Sequence, residues 1–293
     1  MKIGYPCINS SLSCRSSKTF RLASYSEERM RQCIENNLDC LSRVLEYNLK
    51  HGLLFFRITS DLVPFASHPV CTFPWQSVYR SAFAELGEYI REKGMRVSMH
   101  PDQFVLINAV NEEIFQRSVS EILYHAQLLD LLGLDETAKI QIHVGGVYHD
   151  KAESIKRFMD RYQTLPEEIK RRLVIENDER LYDIQDCLSI SQATKIPLVF
   201  DVFHFHCHNR GESIGSIFPE VNKTWRQKDG VAIADYSSQD PTKRKGAHAA
   251  TVNLADFRLF LSASSGLDFD IMCEIKDKEK SALQILSLIN GSG

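Results

Sequence analysis

The stretch Ile196-Pro197-Leu198-Val199-Phe200-Asp201-Val202-Phe203-His204-Phe205-His206-Cys207-His208 decides how this chain reads. It opens as a run of apolar and β-branched residues and changes character at Asp201. A strand buried on both faces of a parallel sheet carries such a continuous apolar run. Its polar end is where chemistry can begin. Asp201 and His204, three positions apart, can both turn inward as strand gives way to loop. Taken alone, the pair could equally be a helix-capping carboxylate and a histidine stacked on the core. The same event recurs along the chain, and that recurrence weighs against capping.

Working outward, residues 2–6 form a first short strand, followed by a polar loop rich in Ser, Cys, Arg and Lys. Ser26 with Glu27 and Glu28 marks a helix start, since a hydroxyl caps the free amides and acids suit the positive end of the helix dipole. That helix runs to His51, and Gly52 stops it. Residues 53–58 are a strand ending in Arg57-Ile58-Thr59-Ser60, and a helix over 75–93 ends at Gly94. Residues 96–99 lead into His100-Pro101-Asp102-Gln103-Phe104. Apolar residues at Phe115, Val119, Ile122, Leu123, Ala126 and Leu129 form a helical stripe. Residues 139–142 end in His143-Val144-Gly145-Gly146, and a helix spans 150–162. Residues 173–175 end in Glu176-Asn177-Asp178. After the opening stretch come a helix over 213–226 and a strand over 230–234, ending in Asp235-Tyr236-Ser237. Residues 268–273 end in Glu274, and a helix through Leu288 closes the chain. About eight alternations of strand and helix, with no linker or repeat, predict a (β/α)8 barrel forming a single domain over residues 1–293. A doubly wound sheet is the alternative, but no glycine-rich phosphate turn follows the first strand.

With 293 residues, 43% hydrophobic and 25% charged, the composition is that of a globular chain large enough for a substantial core. A net charge of −3 and a pI near 6.4 make a globally basic nucleic-acid binder untenable, so any such contact must be local or carried by bound metal. The eight cysteines lack C-x-x-C spacing and are expected to be reduced thiols. Met1-Lys2-Ile3-Gly4 leads straight into strand-like sequence, and no apolar run is long enough to cross a bilayer. A cytoplasmic monomer with no membrane partner is expected.

In a barrel all strand C-termini face one mouth, where active sites sit. His100, His143, Glu176, Asp201 with His204, Asp235 and Glu274 all occupy such ends, so six successive strands deliver ligands to one place. Histidine and carboxylate donors without thiolates suit Zn²⁺, Mn²⁺ or Fe²⁺ better than Ca²⁺. They exceed one ion's coordination shell, which predicts a cluster of two or three ions. His248, after the seventh strand, is a further candidate. His206 and His208 are expected to be exposed or to stand behind the ligands. His125 is expected to be a hydrogen-bonded core histidine, and His68 beside Pro69 is ambiguous. Arg57 could meet phosphate or pair with a carboxylate such as Glu274.

These residues resemble the UV damage endonucleases, relatives of the barrel-fold abasic-site endonucleases. The resemblance rests on Ile3-Gly4-Tyr5 with Asn9, Arg57-Ile58-Thr59-Ser60, Met99-His100-Pro101-Asp102-Gln103-Phe104, His143-Val144-Gly145-Gly146, Glu176-Asn177-Asp178, Asp201-Val202-Phe203-His204, Gly246-Ala247-His248 and Glu274. It implies His100, His143, Glu176, Asp201, His204, His248 and Glu274 as metal ligands, with Glu176 bridging two ions. Glu176, Glu274 and His143 would be the catalytic set. It implies Gln103 and Phe104 as a pair pushed into the duplex at a lesion, and Tyr5 and Asn9 near the extruded nucleotides. Two departures stand out. Where the family pattern has Lys-Ile-His-Tyr-Ser, this chain has Ile233-Ala234-Asp235-Tyr236-Ser237, so Asp235 would replace a histidine ligand and Ile233 a lysine. Phe104 stands where Tyr is usual.

The expected activity is hydrolysis of damaged double-stranded DNA 5′ to UV photoproducts and other distorting lesions. A divalent cluster, Mn²⁺ first with Zn²⁺ or Mg²⁺ as alternatives, would serve it. Lys243-Arg244-Lys245 beside the mouth is expected to touch phosphates; Arg15, Lys18 and Arg21 are weaker candidates. A barrel sugar isomerase or epimerase also gathers carboxylates and histidines around divalent ions, but requires neither Gln103-Phe104 nor the basic loop. A non-catalytic damage-binding protein is the third reading, raised by the altered seventh strand.

Overall fold

The computed structural model describes residues 1–291. Its eight strands are β1 (Ile3–Pro6), β2 (Phe55–Ile58), β3 (Arg96–Met99), β4 (Lys139–His143), β5 (Leu173–Glu176), β6 (Leu198–Asp201), β7 (Ala232–Tyr236) and β8 (Phe269–Cys273). They pair in parallel in sequence order, and β1 closes on β8, with Ile3 opposite Ile271. The chain is a single-domain (β/α)8 barrel, as expected.

The helices are α1 (Glu27–Lys50), α2 (Trp75–Val78), α3 (Arg80–Glu92), α4 (Glu112–Leu131), α5 (Lys151–Thr164), α6 (Glu167–Lys170), α7 (Ile184–Thr194), α8 (Val202–Cys207), α9 (Ile214–Asn222), α10 (Leu254–Ala263) and α11 (Glu279–Gly291). In α1 the Ser26 side chain accepts from the Arg29 amide, and Met30, Ile34, Leu38, Leu41 and Leu45 form the buried stripe. The helix expected over 75–93 is broken at Tyr79, whose backbone leaves the helical region. The helix expected over 213–226 stops at Asn222. Helices α7 and α10 were not expected from the sequence. The apolar stripe of α7 is diluted by Ser and Gln, that of α10 is short, and their starts rest on Asp183 and Asn253, whose side chains accept amides of the first turn.

Alternation along each strand explains the site. Outward residues such as Ile140, Ile175 and Phe200 join the large core beneath the helices. Inward residues fill the bore in layers. Phe55, Val174, Val199, Ile233 and Met272 make an apolar plug. Below it Arg96 pairs with Asp270 at 2.9 Å and Lys139 with Asp229 at 2.7 Å. Two residues further along each strand the bore turns polar, with Arg57, Gln141 and Asp235, and the mouth above carries His100, His143, Glu176, Asp201 and Glu274. At Gly4 a Cβ would lie 2.2 Å from the Phe55 carbonyl oxygen, so that position of β1 admits no side chain.

One sequence expectation is corrected. Cys14 and Cys40 form a disulfide, with Cα atoms 5.8 Å apart, tying the loop after β1 to α1. The other cysteines are free thiols. The pair lacks a short spacing because folding, not local sequence, brings the loop against the helix. No helix is long and apolar enough to cross a membrane among the described residues.

Candidate active site

Three groups of donors gather at the mouth, each with ligand atoms within 4.8 Å of one another: His100, His143 and Glu176; Glu176, Asp201 and His204; Asp201, Asp235 and Glu274. Glu176 and Asp201 each belong to two groups. The sequence-derived ligands are therefore brought together, His248 excepted. That residue donates from Nδ1 to the Glu274 carbonyl at 2.8 Å, with its ring tilted against Phe203, centroids 4.7 Å apart, and 6.3 Å from the His204 ring. Its orientation leaves Nε2 available on the rim.

The electrostatics follow from burial. Glu176 is buried, which alone would raise its pKa, but His143 and His100 outweigh burial and hold it well below the carboxylate range. Burial pushes Asp201 well up, and neighbouring carboxylates add to the rise that His204 opposes. Burial pushes Asp235 up to about 7 despite Arg57. Burial would also raise Glu274, but Arg57 pulls it down to about 2. Burial disfavours the His204 imidazolium, yet Asp201 and Glu176 hold its pKa up to about 9.

Two of the three histidines in these groups, His100 and His204, are oriented by a fixed backbone acceptor. His100 Nδ1 donates to the Pro101 carbonyl at 2.7 Å, which turns Nε2 onto Glu176 Oε1, also at 2.7 Å. His204 Nδ1 lies 3.1 Å from the Asn177 carbonyl and 3.2 Å from Asp201 Oδ2. Nδ1 of His143 is buried with no hydrogen-bond partner among the described residues, and Nε2 lies 3.3 Å from Glu176. The His100 and His204 arrangements typify metal-binding histidines, whose second nitrogen is fixed by a carbonyl. Four carboxylates converge here, Glu176, Asp201 and Asp235 buried and Glu274 partly so, and the guanidinium of Arg57 pairs with only Asp235 and Glu274. Unpaired buried charge is costly, so the donor set fits divalent cations.

Sequence reasoning missed two positioning residues. Asn177 is fully buried; it donates to the Asp201 carbonyl at 2.9 Å and accepts the Asp201 amide at 3.0 Å. Gln141 donates to Asp235 Oδ2 at 2.6 Å and accepts from Arg57 at 2.9 Å. Its place two residues before His143 on the same strand was the available signal.

A cleft of about 290 Å³ runs beside the donors, lined by residues that include Gln103, His143, Gly146, Glu179 and Leu181. Gln103 and Phe104 sit on a turn at its lip, and Phe104 is 60% exposed. The model of the family described as UV-endonuclease UvdE matches residues 1–291. This chain belongs to the UvdE family. A UV DNA damage endonuclease of Clostridium perfringens (strain 13 / Type A) is 36% identical over 289 residues, covering 98% of this chain and 70% of that relative. One from Bacillus cereus (strain Q1) is 32% identical over 296 residues, covering 98% and 93%. The crystal structure of SacUVDE superposes with a TM-score of 0.94 at 43% identity, covering 99% of both chains. Endonuclease IV from Thermus thermophilus, with a TM-score of 0.57 and 16% identity over 86% of this chain and 95% of its own, shares the fold.

Ile233 and Asp235, the β7 residues for which the resemblance implies Lys and His, have definite places. Ile233 is part of the apolar plug, below the donors. Asp235 stands among the donors but accepts from Arg57 at 2.9 and 3.1 Å as well as from Gln141. Arg57 also pairs with Glu274, as one of the two sequence readings had it. Tyr5 and Asn9 are the residues that the resemblance implies near extruded nucleotides. Both are buried, with Asn9 donating to the Tyr5 hydroxyl at 2.7 Å and that hydroxyl donating to Asn48 at 2.6 Å, so they brace β1 against α1. Lys243, Arg244 and Lys245 are exposed on the loop between Gln239 and His248, with Lys243 3.3 Å from Asp240. His206 is exposed and His208 caps α8, both outside the three donor groups. His125 is a buried core histidine, as expected.

Proposed function

We propose that this chain cuts DNA 5′ to UV photoproducts and other helix-distorting lesions, leaving 3′-hydroxyl and 5′-phosphate ends, with divalent ions held at the barrel mouth. The observation that carries this reading is the sharing of Glu176 between two donor groups. His100, His143 and Glu176 would hold one ion and Glu176, Asp201 and His204 another, with His248 and Glu274 at the edges. The oxygen-rich set favours Mn²⁺. Bound there, such ions neutralise phosphate oxygens, acidify a water and stabilise the leaving oxygen.

The chain's own residues supply position. Asn177 fixes the backbone of Asp201 and, through its carbonyl, the ring of His204. Pro101 aims His100, and the Glu274 carbonyl aims His248. Gln103 and Phe104, exposed above the cleft, would enter the stack where damage has already weakened it, since a damaged step unstacks at lower cost. Lys243, Arg244 and Lys245 would meet the phosphate backbone. The test is incision of a labelled duplex carrying one pyrimidine dimer, by chelator-treated protein reloaded with Mn²⁺, Mg²⁺ or Zn²⁺. A nick 5′ to the dimer, absent without metal, is expected; metal-independent incision, or none with any ion, would overturn the reading.

A further inference from the structure

We infer that Arg57 is a built-in cation occupying the charge role of an ion in the all-carboxylate corner of the mouth, so that this chain holds two divalent ions and Asp235 ligates neither. The inference rests on the reading of the mouth as a metal centre.

Of the three donor groups, two combine histidine with carboxylate, and the third is Asp201, Asp235 and Glu274 alone. Two of those three carboxylates are already engaged by Arg57, whose side chain is 4% exposed. Nη2 reaches both oxygens of Asp235, at 3.1 and 2.9 Å, and Nη1 meets Glu274. Gln141 adds a donor to Asp235 Oδ2 at 2.6 Å and accepts from the same Nη2, which locks the guanidinium plane. Both oxygens of Asp235 therefore face hydrogen-bond donors. An arginine cannot give up its proton in a protein, so the positive charge is permanent. An ion in this corner would displace those donors and sit against a like charge buried with Asp235. The other two groups have no fixed cation among their hydrogen-bonding partners and share Glu176.

The test is metal content per folded chain, by elemental analysis after equilibration with Mn²⁺ and gel filtration. Two ions are expected for the wild type and for Arg57→Lys, which keeps the charge, and a third for Arg57→Met, which removes it. Asp235→Asn keeps the shape and should still hold two ions; it also decides the matter if Arg57→Met does not fold. Three ions in the wild type, two in a folded Arg57→Met, or a fall to one in Asp235→Asn would overturn the inference while leaving the metal centre standing. No ion in the wild type would instead overturn the metal-centre reading, and this inference with it.

Discussion

His100 and Glu176 meet nitrogen to oxygen at 2.7 Å, while the other nitrogen of the same ring is committed to the Pro101 carbonyl. Two lone pairs cannot face each other at that distance. Either a proton or a cation lies between them, and Glu176 raises the His100 pKa, against burial, to keep the proton in place. Divalent ions must therefore displace protons. Loading chelator-treated protein with Mn²⁺ near neutral pH in weak buffer should acidify the solution, and affinity should fall as the pH is lowered. His100→Asn should release fewer protons; identical release would place the titrating group elsewhere.

Glu176→Gln removes the shared carboxylate. Metal content and incision should fall together, incision by roughly 100-fold or more, since even residues behind the ligands cost about 10- to 100-fold. Incision retained at wild-type metal content would show that Glu176 bridges nothing.

Gln103→Ala with Phe104→Ala should leave metal content unchanged and weaken binding to damaged duplex by about 1–3 kcal/mol, the scale of one lost stacking partner. Binding assays on matched damaged and intact duplexes would show it. An unchanged preference for damage would remove the wedge.

Asp235→Ala leaves Arg57 with Glu274 as its one carboxylate partner in a buried setting. Breaking a buried pair costs about 3–5 kcal/mol; the remaining Glu274 contact puts the expected loss near the lower end, read from urea unfolding. Asp235→Asn should lose much less. Equal stabilities for Asp235→Ala and the wild type would mean that the pair does not hold the bore together.

His125, outside the three donor groups, gives a pH signature of its own. Its Nδ1 faces the Glu121 carbonyl at 2.7 Å and its Nε2 the Ser60 hydroxyl at 3.0 Å. Burial lowers its pKa from 6.5 to about 4. The unfolded chain therefore binds a proton that the folded chain refuses. The resulting stability is complete above the unfolded pKa of about 6.5 and is lost as the pH falls towards 4, amounting to about 3 kcal/mol in full. Unfolding free energies at about pH 7 and about pH 4.5 should differ more for the wild type than for His125→Gln. An equal acid sensitivity would refute the assignment.

Strands β3 to β8 were legible because each ends abruptly at a candidate ligand, and the ligand set at the mouth followed from them. Helices α7 and α10 were not, since α7 buries polar Asp186, Ser191 and Thr194 beside its apolar residues, α10 buries only Phe257 and Phe260, and both start on side chains that also mark loops. The polar layer of Arg57, Gln141 and Asp235 was legible only in part. Alternation puts each residue in the bore, but which partner it meets across the barrel depends on the register of strands far apart in sequence. The contact of Tyr5 with Asn48 of α1 was hidden for the same reason, although alternation alone turns Tyr5 outward.

The loop bearing Gln103 and Phe104 hangs between two fixed points. At one end His100 closes on Glu176. At the other Asn108 donates to the Gly146 carbonyl at 2.7 Å and to the Tyr182 hydroxyl at 3.1 Å, and it lies so close to Gly145 that a Cβ there would come within 2.3 Å of its Oδ1. Only the tip between these anchors is free of the scaffold. A substitution at that tip can therefore change what the loop presents to its surroundings without moving His100 or Asn108, which the scaffold holds.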